Sequence, residues 1–450
     1  MPALAQNECA SRPEYRNLRY EENWQYLADP ACRTGRIDQL KFIALDAQGG
    51  RHLSLGGEAR LRYEFVHNGA FGGDPEDANG YFLKRYLAHA DVQAGGGLRA
   101  FVQLQSANES GRRGGPRRED EDDVDLNQGF VDWTPYRAGD DHVTLRAGRQ
   151  ELEFGLSRLL STREGLNTRQ SFDGLRSFGR LGRWNYNTTL VRPVETLPGA
   201  FDDRAEAGGR YAGASVWTAN PLLPDGNTTV YANHRRKRDV PFDIGRGTDL
   251  RNTFGIRFWS VNPALDYNWE GGVQRGNFEG LAIRAWYFAS DTGYTFAGRA
   301  GRPRLGLRVD ATSGDRDPND GELNTFNALF ASTAYSGLAG QLGPANAIDV
   351  APSLSFSPRP NLRVTLGAIG FWRMSPDDGI YSATGSLRRD GQSSSARHIG
   401  NQFTAQLVAT PTRNWTLLAT LAYFEAGRFL EESPPSEDVT YFTAWAAFRF

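Results

Sequence analysis

The last thirteen residues, DVTYFTAWAAFRF (438–450), alternate along their whole length. Thr440, Phe442, Ala444, Ala446, Phe448 and Phe450 fall on one face, and Tyr441, Thr443, Trp445, Ala447 and Arg449 on the other. A period of two belongs to a β-strand, whose successive side chains point to opposite sides. A closing strand of this kind, ending on an aromatic residue, suits the seam of a barrel set in a lipid bilayer. Hydrocarbon admits only helices and closed barrels, because every backbone N–H and C=O must be bonded internally. No apolar run here approaches the roughly 20 residues of a spanning helix.

The same alternation recurs upstream. In LSLGGEARLRYEF, Leu53, Leu55, Ala59, Leu61, Tyr63 and Phe65 share one side, opposite Ser54, Glu58, Arg60, Arg62 and Glu64. Seventeen more segments read as strands: 81–93, 97–107, 124–134, 142–151, 170–178, 183–192, 208–219, 226–236, 251–260, 265–276, 280–291, 302–312, 347–357, 361–373, 399–410, 414–426 and 438–450. The expected fold is therefore all-β, a transmembrane antiparallel barrel of about 18 strands over 53–450. Short turns such as 94–97, 179–182, 358–361 and 411–413 alternate with long polar connections, among them 67–80, 108–123, 152–169, 193–207, 237–250, 313–346, 374–398 and 427–437. Outer-membrane barrels show this asymmetry, with short turns on the periplasmic side. The pattern breaks at 277–280, where a long connection is expected and a short one stands. A propeller would show repeats of about 40 residues, and none is found.

The amino-terminal region reads differently. Ala3-Leu4-Ala5 resembles the tail of a signal-peptidase site, so 1–5 is read as a leader remnant and Gln6 as the mature start. Residues 6–52 then form an extension expected beneath or inside the barrel. Cys9 and Cys32, the only cysteines, can close one small disulfide loop in an oxidising periplasm.

Several stretches, in this order along the chain, resemble the alginate-export family of outer-membrane barrels. They are 19–45 before LSLGGEARLRYE, LRAGRQEL (145–152), LNTRQSFDGLR (166–176), ATSGDRDPNDGELNTFNALF (311–330), GFWRMSPDDGIY (370–381) and the final FRF. The resemblance implies 18 strands and a passive conduit in the bacterial outer membrane for an anionic, alginate-like polysaccharide. Periplasmic export partners are implied with it. The polymer is the least transferable part, and a substrate-selective uptake porin for small carboxylates is the alternative. Lipid and lipopolysaccharide would surround either.

Of 51 basic residues only Lys41, Lys84 and Lys237 are Lys, which leaves 48 Arg. A composition bias explains this; so does a need for guanidinium forks that grip carboxylates bidentately. Where one strand face is apolar, the other lines the lumen. That parity places Arg60, Arg62, Arg85, Arg99, Arg146, Arg257, Arg284, Arg304, Arg308 and Arg373 inside. Their readings are an anion-attracting wall or braces paired with lumen carboxylates such as Glu58, Asp91, Asp132, Glu270 and Asp310. Arg149 and Arg373 match family motifs. Parity from Leu145 and Ala147 turns Arg149 outward, so a bulge or the end of the membrane band is expected there.

Other chemistry is sparse. Asp315, Asp317 and Asp320 start like a calcium loop, but the glycine is misplaced and Phe326 stands where Glu is required. RRGGPRREDEDD (112–123) reads as a charged surface loop. A net charge of -2 gives nucleic acid no electrostatic support. No nucleophile elbow, HExxH or P-loop occurs, so neither an enzyme nor a cofactor is expected.

Overall fold

The computed structural model describes residue 9 and residues 12–77, 79–223 and 225–450. The leader remnant expected at 1–5 lies outside these residues.

Eighteen antiparallel strands close into a barrel. In chain order, β1 to β18 are His52–His67, Tyr81–Gly95, Leu98–Ser110, Asp122–Ala138, Asp141–Gln150, Phe172–Leu181, Trp184–Glu195, Arg210–Asn220, Gly226–Phe242, Gly245–Val261, Leu265–Phe278, Leu281–Thr295, Arg304–Thr312, Ala347–Arg359, Leu362–Arg373, His398–Thr412, Trp415–Ala426 and Val439–Arg449. Each pairs with its sequence neighbour. β18 pairs with β1 from Glu58↔Arg449 to His67↔Thr440, so no edge is left open.

The outer surface is apolar where it meets lipid. Leu61, Val131, Leu175, Leu190, Phe254, Leu305 and Leu421 are all exposed. Trp133, Tyr136, Trp184, Trp269, Tyr294 and Trp415 form an exposed aromatic belt near the short-turn end, as barrels place at a bilayer interface.

Two connections differ from expectation or explain it. The segment 237–250, expected as a long loop, is a hairpin extension of β9 and β10. It contains Val240 and Phe242, which are buried with Phe278 and Tyr381 and so keep the ladder going. The short connection after β11 is a tight hairpin with Phe278 paired to Leu281, so no register error lies behind it.

The amino-terminal segment packs into the barrel's short-turn end. Leu18 and Tyr20 bury against Phe101 and Phe130. Arg19 bonds to the backbone oxygens of Gly57 (3.0 Å) and Phe450 (2.8 Å), tying the segment to the seam. Cys9 and Cys32 are joined in a disulfide.

Lys41 is buried in this segment and donates to the Leu55 carbonyl at 2.8 Å, with the Trp24 ring 5.1 Å away. Burial, helped by Arg19 and Arg12 and opposed by Glu22 and Asp91, lowers its pKa from 10.5 to about 7. Between those values the detached segment binds the extra proton. Packing should therefore strengthen as pH rises from about 7 to about 10, by at most about 1.4 kcal/mol per pH unit, and stay flat with respect to Lys41 below that window. Proteolysis of 12–51 at pH 6.5 and pH 9 checks this; Lys41→Met should flatten the difference.

Candidate functional site

The lumen is divided in two. From β1 round to β13 it is filled by the amino-terminal segment and by the connections 151–171 and 313–346. Phe326, Leu329 and Phe330 of the latter bury against Phe172, Tyr211 and Leu160, so this loop folds inward.

In the filled half the arginines have partners. Arg85 bonds to Glu58 at 2.7 Å and also to Glu164. Arg60 donates to the backbone oxygens of Glu164 (3.1 Å) and Leu166 (2.9 Å). Arg62 pairs with Glu64 and bonds to Tyr441. Arg99 meets Asp91 at 2.6 Å, and Arg146 meets Asp132 at 2.7 Å while stacking on Phe130. Arg304 pairs with Asp266 at 2.5 Å, and Arg308 with Asp349 at 3.0 Å. Arg257 bonds to Asn268. A buried charge needs such compensation, and these pairs hold loops against the wall.

Three expected pore residues lie elsewhere. Arg284 points outward, its side chain 61% exposed, and pairs with Glu322 at 2.7 Å. The inward positions of β12 are Ile283, Ala285 and Tyr287, packed against loop apolar residues Leu323 and Phe326. Parity reverses here because the lumen is itself filled with apolar side chains. Arg149 stays outward at the long-loop end, beyond the membrane band, bonded to Asp173 at 2.8 Å; β5 keeps its register with both neighbours there. Arg373 is buried and donates to the carbonyls of Pro376, Asp378, Gly391 and Ala396, as well as Ser394. It organises the 374–397 loop.

Asp315, Asp317 and Asp320 do not converge. Each caps a local backbone N–H, on Arg316, Asn319 and Glu322 respectively. Among the described residues the carboxylates that cluster, within 4.8 Å, are those of Asp125, Asp202 and Asp203. Asp125 already accepts the N–H groups of Asp202 (2.9 Å) and Asp203 (3.0 Å), with Arg149 3.9 Å away.

Sequence reasoning missed Arg158 and Arg169, which sit in a connection without periodicity, and Glu151, at the end of the strand expected over 142–151. Arg169 pairs with Glu151 at 2.7 Å and Arg158 with Glu270 at 3.2 Å. It also missed buried Arg251, although the parity that turns Arg257 inward applies equally to Arg251.

The other half of the lumen is open. Register puts Ser353 and Ser355 of β14, Thr365 and Gly367 of β15, Thr404 and Gln406 of β16 and Thr416 and Thr420 of β17 on the inner wall. Charged side chains border this strip, Arg304 opposite Ser355 and Arg363 below Thr365, and the positions within it are uncharged. A cavity of about 420 Å³ runs from the long loops down to Gln406, Leu418 and Trp445. Among the described residues Arg113 and Arg388 at its outer end make no side-chain ion pair or hydrogen bond, with Asp74 and Asp77 lining the same end. The path can therefore draw anions at its mouth and pass hydroxyl-rich solutes along a neutral wall.

Residues 51–443 match the alginate export family. No curated protein matches the chain. Solved porins share its fold. OccK3 (OpdO) of Pseudomonas aeruginosa aligns with TM-score 0.58 at 10% identity over 88% of this chain and 95% of that one. A BenF-like porin of Pseudomonas fluorescens Pf-5 gives 0.59 at 9%, covering 88% and 98%. OccK2 (OpdF) of P. aeruginosa, in complex with glucuronate, gives 0.58 at 11%, covering 88% and 98%.

Proposed function

Because the chain belongs to the alginate-export family of outer-membrane barrels, we propose that it passes a carboxylated, alginate-like polysaccharide by diffusion. The family and the fold are those of an outer-membrane channel, not of an enzyme class. The observation that carries the finer reading is the open strip. Its serine, threonine and glutamine side chains exchange hydrogen bonds with sugar hydroxyls at little net cost, while Arg113 and Arg388 meet carboxylates at the outer mouth. Many weak sites suit a conduit better than one strong site, because release must match entry. Selectivity then rests on the few unpaired arginines, since the paired ones are neutralised.

A second reading is favoured by the cavity's size. About 420 Å³ suits a small ligand, and the fold neighbour OccK2 is solved with glucuronate. Uptake of small carboxylates would use the same mouth.

Conductance in a planar bilayer separates them. Block by alginate oligomers that strengthens with length supports polysaccharide passage. Block by glucuronate alone favours the uptake porin, and no block by either would end both. Arg113→Gln with Arg388→Gln should lower the anion-to-cation permeability ratio by about two- to threefold, read from the reversal potential.

A further inference from the structure

Five exposed arginines without partners follow one another along one arc of the short-turn end, while Arg137 and Arg183 stand apart from it. Arg299 and Arg302 lie in the turn between β12 and β13, Arg359 and Arg363 flank the turn between β14 and β15, and Arg413 lies between β16 and β17. All five are exposed, and none makes an ion pair or hydrogen bond through its side chain among the described residues. No Asp or Glu occurs in 296–303, 357–363 or 410–414. Elsewhere on the same rim acids are present: Asp140 and Asp141 after β4, Asp225 before β9 and Asp266 in β11. One arc of the rim is purely cationic and the rest is mixed.

Arg359, Arg363 and Arg413 lie beneath the open strip, and Arg299 and Arg302 adjoin it below β12 and β13. Arg363 continues the inner face of β15 below Thr365, and the register sets Arg363 opposite Val408 and Thr365 opposite Gln406, which lines the cavity. The turn carrying Arg413 is tied to the amino-terminal segment through Asn414 and the Tyr15 hydroxyl at 3.1 Å, which fixes it at the mouth. Near where Tyr20 meets Phe101 and Phe130, the rim carries Asp140 and Asp141 beside its arginines.

We infer that these five arginines form a periplasmic capture site for a carboxylated polysaccharide, feeding it into the open side of the lumen. The inference rests on the polysaccharide reading above. Unopposed like charges along one arc focus their field into the adjoining opening and raise the local concentration of a polyanion. Guanidinium forks match carboxylates bidentately, and several in a row engage a repeating polymer more than a single acid. Anionic headgroups of the inner leaflet share the charge, but the inward phase of Arg363 favours a solute in the mouth over a lipid at the wall.

The test is sided block of the full-length protein in a planar bilayer at low salt, with alginate oligomers added to one side at a time. Wild type should be blocked faster from the short-turn side, with an association rate that falls as salt rises. Changing all five arginines to Gln should cut that rate by about tenfold and leave block from the long-loop side unchanged. Arg359→Glu with Arg363→Glu and Arg413→Glu gives an independent variant in case the fivefold one folds poorly. Unchanged block from the short-turn side in both variants overturns the capture site while leaving polysaccharide passage intact. A loss seen only in bilayers containing anionic phospholipid overturns it in favour of a lipid collar. Absence of block in wild type from either side defeats the polysaccharide reading itself.

Discussion

Arg85→Met is expected to widen the pore without unfolding the barrel. Arg85 is fully buried between Glu58, at 2.7 Å, and Glu164 of the inward connection. Its removal leaves Glu58 with Arg449 (2.7 Å) and Glu164 with Arg169 (3.0 Å) in a site built for one more cation. Breaking a buried pair from one side costs on the order of 3–5 kcal/mol. The wall is a closed hydrogen-bonded ladder, so the cost falls on the 151–171 connection, which is held in the lumen by these contacts. Single-channel conductance should rise severalfold, with more open-channel noise, while heat-modifiable migration still reports a folded barrel. Adding Glu58→Gln and Glu164→Gln removes the stranded charges and should restore part of the original conductance. Unchanged conductance in Arg85→Met would show that this network does not hold the constriction.

Arg373→Met should free the 374–397 loop and leave ion selectivity alone. Arg373 is buried, donates to five backbone carbonyls of that loop, and lies 3.9 Å from the Phe429 ring. Each buried carbonyl left without a donor costs about 1–3 kcal/mol. Lys offers one compact ammonium in place of a planar fork, so Arg373→Lys should recover little. Protease added to intact cells should cut within 374–397 in the variant and not in wild type. The reversal potential should stay as in wild type, in contrast to the Arg113 and Arg388 pair. A shift in selectivity with an intact loop would return Arg373 to the permeation path.

The two substitutions show where reading the chain succeeds. The eighteen strands are legible because lipid imposes its demand residue by residue. Leu305 and Leu307 face hydrocarbon, and Arg304 and Arg308 therefore turn inward, whatever happens elsewhere. The parity failed at Arg284, where Ile283, Ala285 and Tyr287 are as apolar as the opposite face. Nothing local separates an apolar face on lipid from one packed on Leu323 and Phe326. It also missed the continuation of β9 through Val240 and Phe242, whose burial partner, Tyr381, lies far along the chain.

What the sequence by itself determined was the barrel, its strand number, its closing seam and most of its inner face, since alternation is a local consequence of a membrane on one side. What only the tertiary structure decided was which arginines are free to act. Arg60 and Arg85 meet Glu164, and Arg308 meets Asp349, across long stretches of chain. A guanidinium already compensated by a buried carboxylate attracts little else. Arg113 and Arg388 outside, and the arc from Arg299 to Arg413 inside, are among the cations that lack partners among the described residues, and that is settled only when the loops have folded into place.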